Sequence, residues 1–192
     1  MKSIIKKVVY FISLIIVLPA ILTFFLLRIF DEDGALSAHS QFLSVLPGKI
    51  GCYLRSAFYS IALARFDSTV VLSFATLLSH MDTDIEQGVY IGPQSNIGKC
   101  KIGKDTLIGS GVHILSGKQQ HNFEDLTKPI REQGGVFEKI QIGTNCWIGN
   151  NAVVMSNVGE NSIIAAGSVV VNEVPAQSIV AGNPAKVIKT RT

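Results

Sequence analysis

From Ile91 to Val170 the chain keeps time in sixes, a period that neither an α-helix nor an alternating strand produces. An aliphatic residue followed by a small one recurs at Ile91-Gly92, Ile97-Gly98, Ile102-Gly103, Ile108-Gly109, Ile142-Gly143, Ile148-Gly149, Val158-Gly159 and Ile164-Ala165, and Ile114, Val154 and Val170 continue the series. Seven of the gaps between successive members are six residues, and the rest are a five, a four and one long interruption after Ile114. Four residues beyond many of these aliphatics stands a small or β-branched residue: Ser95, Thr106, Val112, Ala152, Ser162 and Ser168. The physical solution is an all-β solenoid with three short flat strands per turn, each sixth side chain entering a shared narrow core about 4.8 Å above its equivalent. Glycine after each aliphatic is expected to turn the corner with positive φ. Weaker register at Leu72, Leu78 and Ile85 predicts the first coil. At about eighteen residues per coil, residues 67–188 without the interruption make between five and six coils.

The rest of the chain is organised differently. Hydrophobic residues make up 47% of the 192 residues and charged ones only 16%, and the apolar excess lies at one end. Val8 to Leu27 is twenty residues without a charge, enough to cross a hydrocarbon core of roughly 30 Å. Lys2, Lys6 and Lys7 precede this run and Arg28, Asp31, Glu32 and Asp33 follow it. The run exceeds the apolar stretch of a signal peptide and no small-x-small site follows, so membrane retention is expected. The amino-terminal lysines favour a single span with the remainder outside. Pro19, near the middle, instead allows a re-entrant hairpin with both ends on the cytosolic face. Residues 46–66 predict a short amphipathic helix, with Ile50, Leu54, Phe58, Ile61 and Leu63 on one face. Arg55 and Arg65 could reach headgroup phosphates there, and packing on the following domain is the equal alternative. The expected organisation is a membrane segment over 1–30, a linker and amphipathic helix over 31–66, and the solenoid domain over 67–192. A formal charge of +3 with dispersed Lys and Arg argues against a nucleic-acid partner. Cys52, Cys100 and Cys146 form no CxxC pair and read as reduced thiols of a cytosolic compartment.

Chemistry is expected in the interruption, residues 117–139, because a loop this long in a repeat protein is usually functional. His121 is its one side chain that titrates near neutrality, which suits a general base. Glu124, Asp125 or a backbone carbonyl could orient its second nitrogen. Zinc held by His80, His113 and His121 is the competing arrangement. It is disfavoured because His113 and His121 are eight residues apart, whereas the zinc enzymes sharing such a solenoid have two of their histidines close together. No metal is expected.

Three blocks in order, Ile142-Gly-Thr-Asn-Cys-Trp-Ile-Gly-Asn-Asn, Ile164-Ala-Ala-Gly-Ser-Val-Val and Val180-Ala-Gly-Asn-Pro-Ala-Lys-Val-Ile, resemble the hexapeptide-repeat acyltransferases. They look like the branch that O-acetylates sugars and antibiotics. The resemblance spans roughly residues 70–190 and implies a left-handed parallel β-helix, a homotrimer, acetyl-CoA as cosubstrate and His121 in the catalytic extruded loop. It carries binding of the extended pantetheine to Asn150, Ala166 and Gly167. Trp147 either lines that groove or packs on the solenoid face. Where relatives often place a lysine for the CoA phosphates this chain has Asn172, leaving Lys189, with Lys186 and Arg191, as cations. Cys146, at an inward or corner position, is not expected to be a nucleophile. The implied activity is transfer of an acetyl group to a sugar hydroxyl of a surface polysaccharide or lipid-linked glycan precursor. The expected location is the inner membrane, with membrane lipid as a partner and the catalytic domain facing the cytosol. An antibiotic acetyltransferase and a non-catalytic membrane scaffold are the alternatives.

Overall fold

The computed structural model describes residues 2–191 and the side chains of residues 4–191; the Lys2 side chain and Thr192 lie outside the described residues. Three sheets build the carboxyl-terminal part, their strands two or three residues long except for the last two of the first sheet. The first orders Val71–Leu72, Tyr90–Ile91, Leu107–Ile108, Trp147–Ile148, Ile163–Ile164 and Ser178–Gly182 in parallel, and Ala185–Thr190 returns antiparallel along the last of these. The second orders Leu77–Leu78, Asn96–Ile97, His113–Ile114, Val153–Val154 and Val169–Val170. The third joins Asp84–Ile85, Cys100–Ile102 and Ile140–Ile142, continued by bridges to Val158 and Val174. Three parallel sheets in this order fit a left-handed parallel β-helix. The second residue of each short pair is the aliphatic of the sixfold repeat and is buried, as at Ile91, Ile97, Ile108, Ile148 and Ile164.

The glycines after the aliphatics do not act as expected. Gly92, Gly103 and Gly149 lack positive φ; a Cβ on Gly92 or Gly103 would sit 2.6 or 2.7 Å from backbone carbon of Gly109 or Gly143, and one on Gly149 2.5 Å from the Ala166 nitrogen. They are needed because adjacent coils approach backbone to backbone. Positive φ falls instead three residues after the aliphatic, at Gln94, Asp105, Gly111, Asn145, Asn151, Asn161 and Gly167. Asn and Asp tolerate that conformation better than most side chains.

Residues 2–66 form three helices: α1 (Lys2–Leu27), α2 (Glu32–Ser44) and α3 (Gly48–Ala62). The expected reversal at Pro19 is absent. α1 runs through it unbroken, its 26 residues reaching roughly 39 Å. Ser13, Val17, Ile21 and Phe24, spaced by fours and a three, form its buried face. Tyr10 Oη lies 2.6 Å from Ser60 Oγ of α3, and Phe24 packs edge-on against Phe58 of α3 and His39 of α2. The other faces of α1 are exposed and apolar, including Ile5, Val8, Phe11, Ile15 and Leu22.

Residues 31–44, expected as linker, are helical because Asp31 caps α2, accepting the Gly34 N–H at 2.9 Å. α3 packs on the solenoid, as one of its two alternatives held: Leu54 and Phe58 are buried, while Ile50 and Ile61 remain exposed. Arg55 does not face a headgroup. It is 0% exposed, its Nη1 donating to the carbonyls of Leu43 at 2.9 Å and Leu46 at 2.8 Å and its Nε to Leu72 at 3.0 Å. The guanidinium thus closes the carboxyl end of α2, where unpaired carbonyls and the helix dipole favour a cation. Ser56 Oγ to Val70 O, the Ala75 N–H to Ser44 O and the Leu78 N–H to Ser40 Oγ complete the seam on the first coil.

Candidate functional site

The second sheet brings Asn96, His113 and Val153 into one transverse row. Beside it opens a groove of about 330 Å³ whose polar lining includes Ser79, His80, Asn96, His113, Ser116 and Gln120. His80 is held from outside the solenoid. Asp33, in the first turn of α2, places Oδ2 at 2.9 Å from His80 Nδ1 and accepts the Met81 N–H on Oδ1 at 2.7 Å. A carboxylate at Nδ1 keeps the proton of the neutral ring there and leaves Nε2 as the lone-pair nitrogen. Phe137, from the 117–139 segment, covers the ring at 5.3 Å between centroids. The sequence analysis missed this pair. The two residues are 47 positions apart, and no spacing rule connects the first turn of a helix to a solenoid corner.

The segment between the strands His113–Ile114 and Ile140–Ile142 leaves the sheets and folds on itself. The Asn122 N–H donates to Gly134 O at 2.9 Å and the Val136 N–H to Gln119 O at 2.7 Å. Gly135 permits this because a Cβ there would strike the carbonyl of Gln120. His121 therefore sits on an ordered two-stranded stem, one residue beyond the groove-lining Gln120, with its side chain exposed. Asp125 does not orient it. That carboxylate is taken up by the Thr127 N–H at 3.0 Å and hydroxyl at 2.6 Å, with Lys128 at 3.4 Å, and these hydrogen bonds hold its pKa below the usual range. At the base of the stem, Lys139 Nζ reaches Asp82 Oδ1 at 2.5 Å and Asp84 Oδ2 at 3.0 Å, while Lys99 reaches Asp82 at 3.3 Å. His80 and His113 share the groove, but His121 does not line it; among the described residues no three His, Cys, Asp or Glu side chains are grouped as a metal would need.

Asn150, Ala166 and Gly167 come together at one corner of adjacent coils. The Gly167 N–H donates to Asn150 O at 2.8 Å, and Asn150 Oδ1 accepts the Ser110 N–H at 3.0 Å. The Asn150 side chain is therefore already engaged in joining coils. Gly167, at φ +71 with nothing within 4 Å of a built Cβ, leaves the corner open to close approach. Trp147 projects outward, half exposed, in a row running Tyr90, Leu107, Trp147, Ile163, Ile179 and Lys189 across the first sheet. Trp147 and Lys189 thus lie three strand spacings apart, about 14 Å. Asn172 and Lys186 are exposed. Arg191 is committed elsewhere, its Nη1 donating to Asn161 O at 3.1 Å. Cys146 points inward, and burial raises its thiol pKa; burial pushes that of Cys100 up to about 12. Neither thiol has the character of a nucleophile.

The family described as bacterial transferase hexapeptide (six repeats) matches residues 82–116 and 139–172, on either side of the 117–139 segment. A probable acetyltransferase of Mycobacterium tuberculosis is 28% identical over a stretch covering 56% of this chain and 44% of that protein, so the chain spans less than half of its length. Among solved structures, a maltose O-acetyltransferase from Clostridium difficile 630 superposes with a TM-score of 0.71 at 17% identity, covering 84% of this chain and 89% of the other. A galactoside acetyltransferase in complex with coenzyme A gives 0.59 at 20% identity, with 84% of each chain covered. These likenesses establish the fold.

Proposed function

We propose that this chain is a membrane-attached, acetyl-CoA-dependent O-acetyltransferase acting on a sugar hydroxyl of a surface or lipid-linked glycan. The observation that carries this reading is the placement of an exposed histidine on a hydrogen-bonded stem beside a polar groove, in a hexapeptide solenoid similar to sugar acetyltransferases. The strand pairings support six coils, with residues 117–139 as the extruded loop. A row of Tyr90, Leu107 and Trp147 on a flat outer face favours lateral association into a homotrimer, in which His121 of one chain meets the Ala166–Gly167 corner of a neighbour.

In this assembly His121 takes the proton of the acceptor hydroxyl, so that the oxygen attacks a thioester carbonyl. The tetrahedral adduct then collapses, the C–S bond breaks, and the CoA thiolate leaves with the proton returned from His121. Acetyl-CoA, as substrate, supplies that thioester. The Ala166 N–H, which has no backbone partner among the described residues, is positioned to donate to the developing oxyanion. Trp147, Asn150, Gly167, Asn172 and Lys189 would line the path of the donor. Asn96, His113 and Gln120 offer both donors and acceptors to a polyhydroxylated acceptor. A freely diffusing antibiotic would give the apolar faces of α1 no use, and a scaffold would give none to the histidine stem.

We further propose that residues 67–192 face the cytosol, the compartment of acyl-CoA. The buried face of α1 is occupied by α2 and α3 from Tyr10 to Phe24. This favours a helix lying in the membrane interface with its apolar faces in lipid, because a perpendicular span would carry the charged ends of α2 and α3 into hydrocarbon.

His80 supports a second assignment of the base, since Asp33 holds its Nδ1 and the residue lines the groove. The experiment is acetyl transfer from acetyl-CoA to a panel of soluble sugars. His121→Ala is expected to lower kcat by about 10²-fold or more with donor binding nearly unchanged. Turnover within threefold of the unmodified protein would discard His121, and an equal loss in His80→Gln alone would transfer the role to His80.

A further inference from the structure

A cleft of about 600 Å³ lies between α1, α3 and the first strand of the solenoid, lined by Lys6, Lys7, Lys49, Cys52, Tyr53 and Thr69 among others. We infer that this cleft binds the phosphate-bearing head of an anionic membrane lipid. Three lysines from two helices line it, and among the described residues none of them has a carboxylate within ion-pair distance. In the solenoid, five of the eight lysines, Lys99, Lys101, Lys104, Lys128 and Lys139, are paired with Asp or Glu. Three unpaired like charges repel one another, so gathering them in one cleft creates a standing positive field that an anion relieves. Tyr53 adds a hydroxyl group that can donate to a phosphate oxygen, whereas the Thr69 hydroxyl already donates to Asp67 Oδ1.

The surroundings select the source of that phosphate. The turns of α1 that carry Lys6 and Lys7 also expose Ile4, Ile5, Val8 and Phe11, and Ile50 beside Lys49 is 74% exposed. A free phosphate ion would satisfy the lysines and leave this apolar rim in water. An amphiphile satisfies both, its charged head in the cleft and its acyl chains along α1. The inference depends on α1 meeting lipid and is independent of acyl transfer.

Cys52 supplies the readout, because it lines the cleft and is only partly buried while Cys100 and Cys146 are fully buried. The full chain in maltoside micelles is treated with a maleimide, and the rate of Cys52 modification is followed by mass spectrometry. Phosphatidylglycerol added to the micelles is expected to slow the reaction by roughly fivefold or more. Phosphatidylcholine at the same mole fraction and inorganic phosphate at the same concentration are expected to have little effect. Replacing Lys6, Lys7 and Lys49 with glutamine should abolish the protection, whereas Lys118→Gln should retain it. Equal protection by phosphatidylcholine would reduce the cleft to an apolar contact. Equal protection by phosphate would make it a site for a free anion, and no protection by any of the three would remove it. Each of these overturns the inference on the unmodified chain, whatever the folding of the variant, and none bears on the transferase assay with soluble sugars.

Discussion

The helical segment and the solenoid bury their polar groups in opposite ways. Inside the solenoid most are small and locally satisfied: Ser95, Thr106 and Ser162 each donate to a carbonyl of the next coil, Gly109, Gly143 and Pro175, at 2.8 to 3.0 Å, while the Ser168 hydroxyl has no partner among the described residues. Each such bond repeats one coil on, so losing one leaves the rest in place. The helical segment has no repeat; single bonds from Ser40, Ser44 and Ser56 flank one large cation, Arg55, which alone joins α2, α3 and the first coil through carbonyls of Leu43, Leu46 and Leu72. Redundancy protects one region and concentration exposes the other.

The comparison is broken most directly at Arg55. Arg55→Leu keeps much of the volume but strands three buried carbonyl groups, and is expected to destabilise the chain by about 3 to 5 kcal/mol. Thermal unfolding in detergent followed by circular dichroism measures it, and a Tm within about 2 °C of the parent would refute the keystone role. Within the solenoid, Gly103→Ala is expected to cost about 1 to 3 kcal/mol, since its Cβ meets the Gly143 carbon and the Thr144 nitrogen, both at 2.7 Å. Gly167→Ala meets only the strain of positive φ, about 1 kcal/mol. Parallel melts of the two variants should rank them in that order, and the reverse would put the glycine requirement back in the turns.

The smallest effect lies where the His121 stem rejoins the coils. The hydrogen bond from Lys139 holds the Asp82 carboxyl below the usual range. A depressed carboxylate contributes stability above its unfolded pKa of about 3.9 and loses it as pH falls through the lower folded value. Asp82 is largely exposed, so solvent screening limits the contribution to roughly 0.5 kcal/mol. Asp82→Asn should therefore melt slightly below the parent at pH 7 and coincide with it near pH 2; a gap that widened on acidification would assign the interaction elsewhere.

The solenoid could be read from the sequence because its core is periodic: each buried aliphatic of a short strand falls where the sixfold spacing puts it. Even the turn residues carried a signal, since Asp105, Asn145, Asn151 and Asn161 stand three places after their aliphatics. Placing the positive φ on the preceding glycine mistook a demand for close approach for one of chain direction. The helical segment resisted the same treatment. Periodicity placed α3 and left Arg55 free either to reach headgroups or to pack on the domain; it turns inward because α2 ends beside it, a tertiary fact with no local trace. The site divided likewise. His121 stands out as the titratable residue of a long insertion, whereas the Asp33 contact that distinguishes His80 exists only once α2 has docked.

The return strand Ala185–Thr190 has a consequence at a larger scale. A stack of parallel coils is a template at both ends, and an uncovered end invites another copy to continue it as a fibre. Here the last strand of the first sheet is paired antiparallel by the chain's own continuation, while α2 and α3 sit over the opening coil. Lengthwise growth is thus obstructed over the opening coil and along the first sheet of the last one.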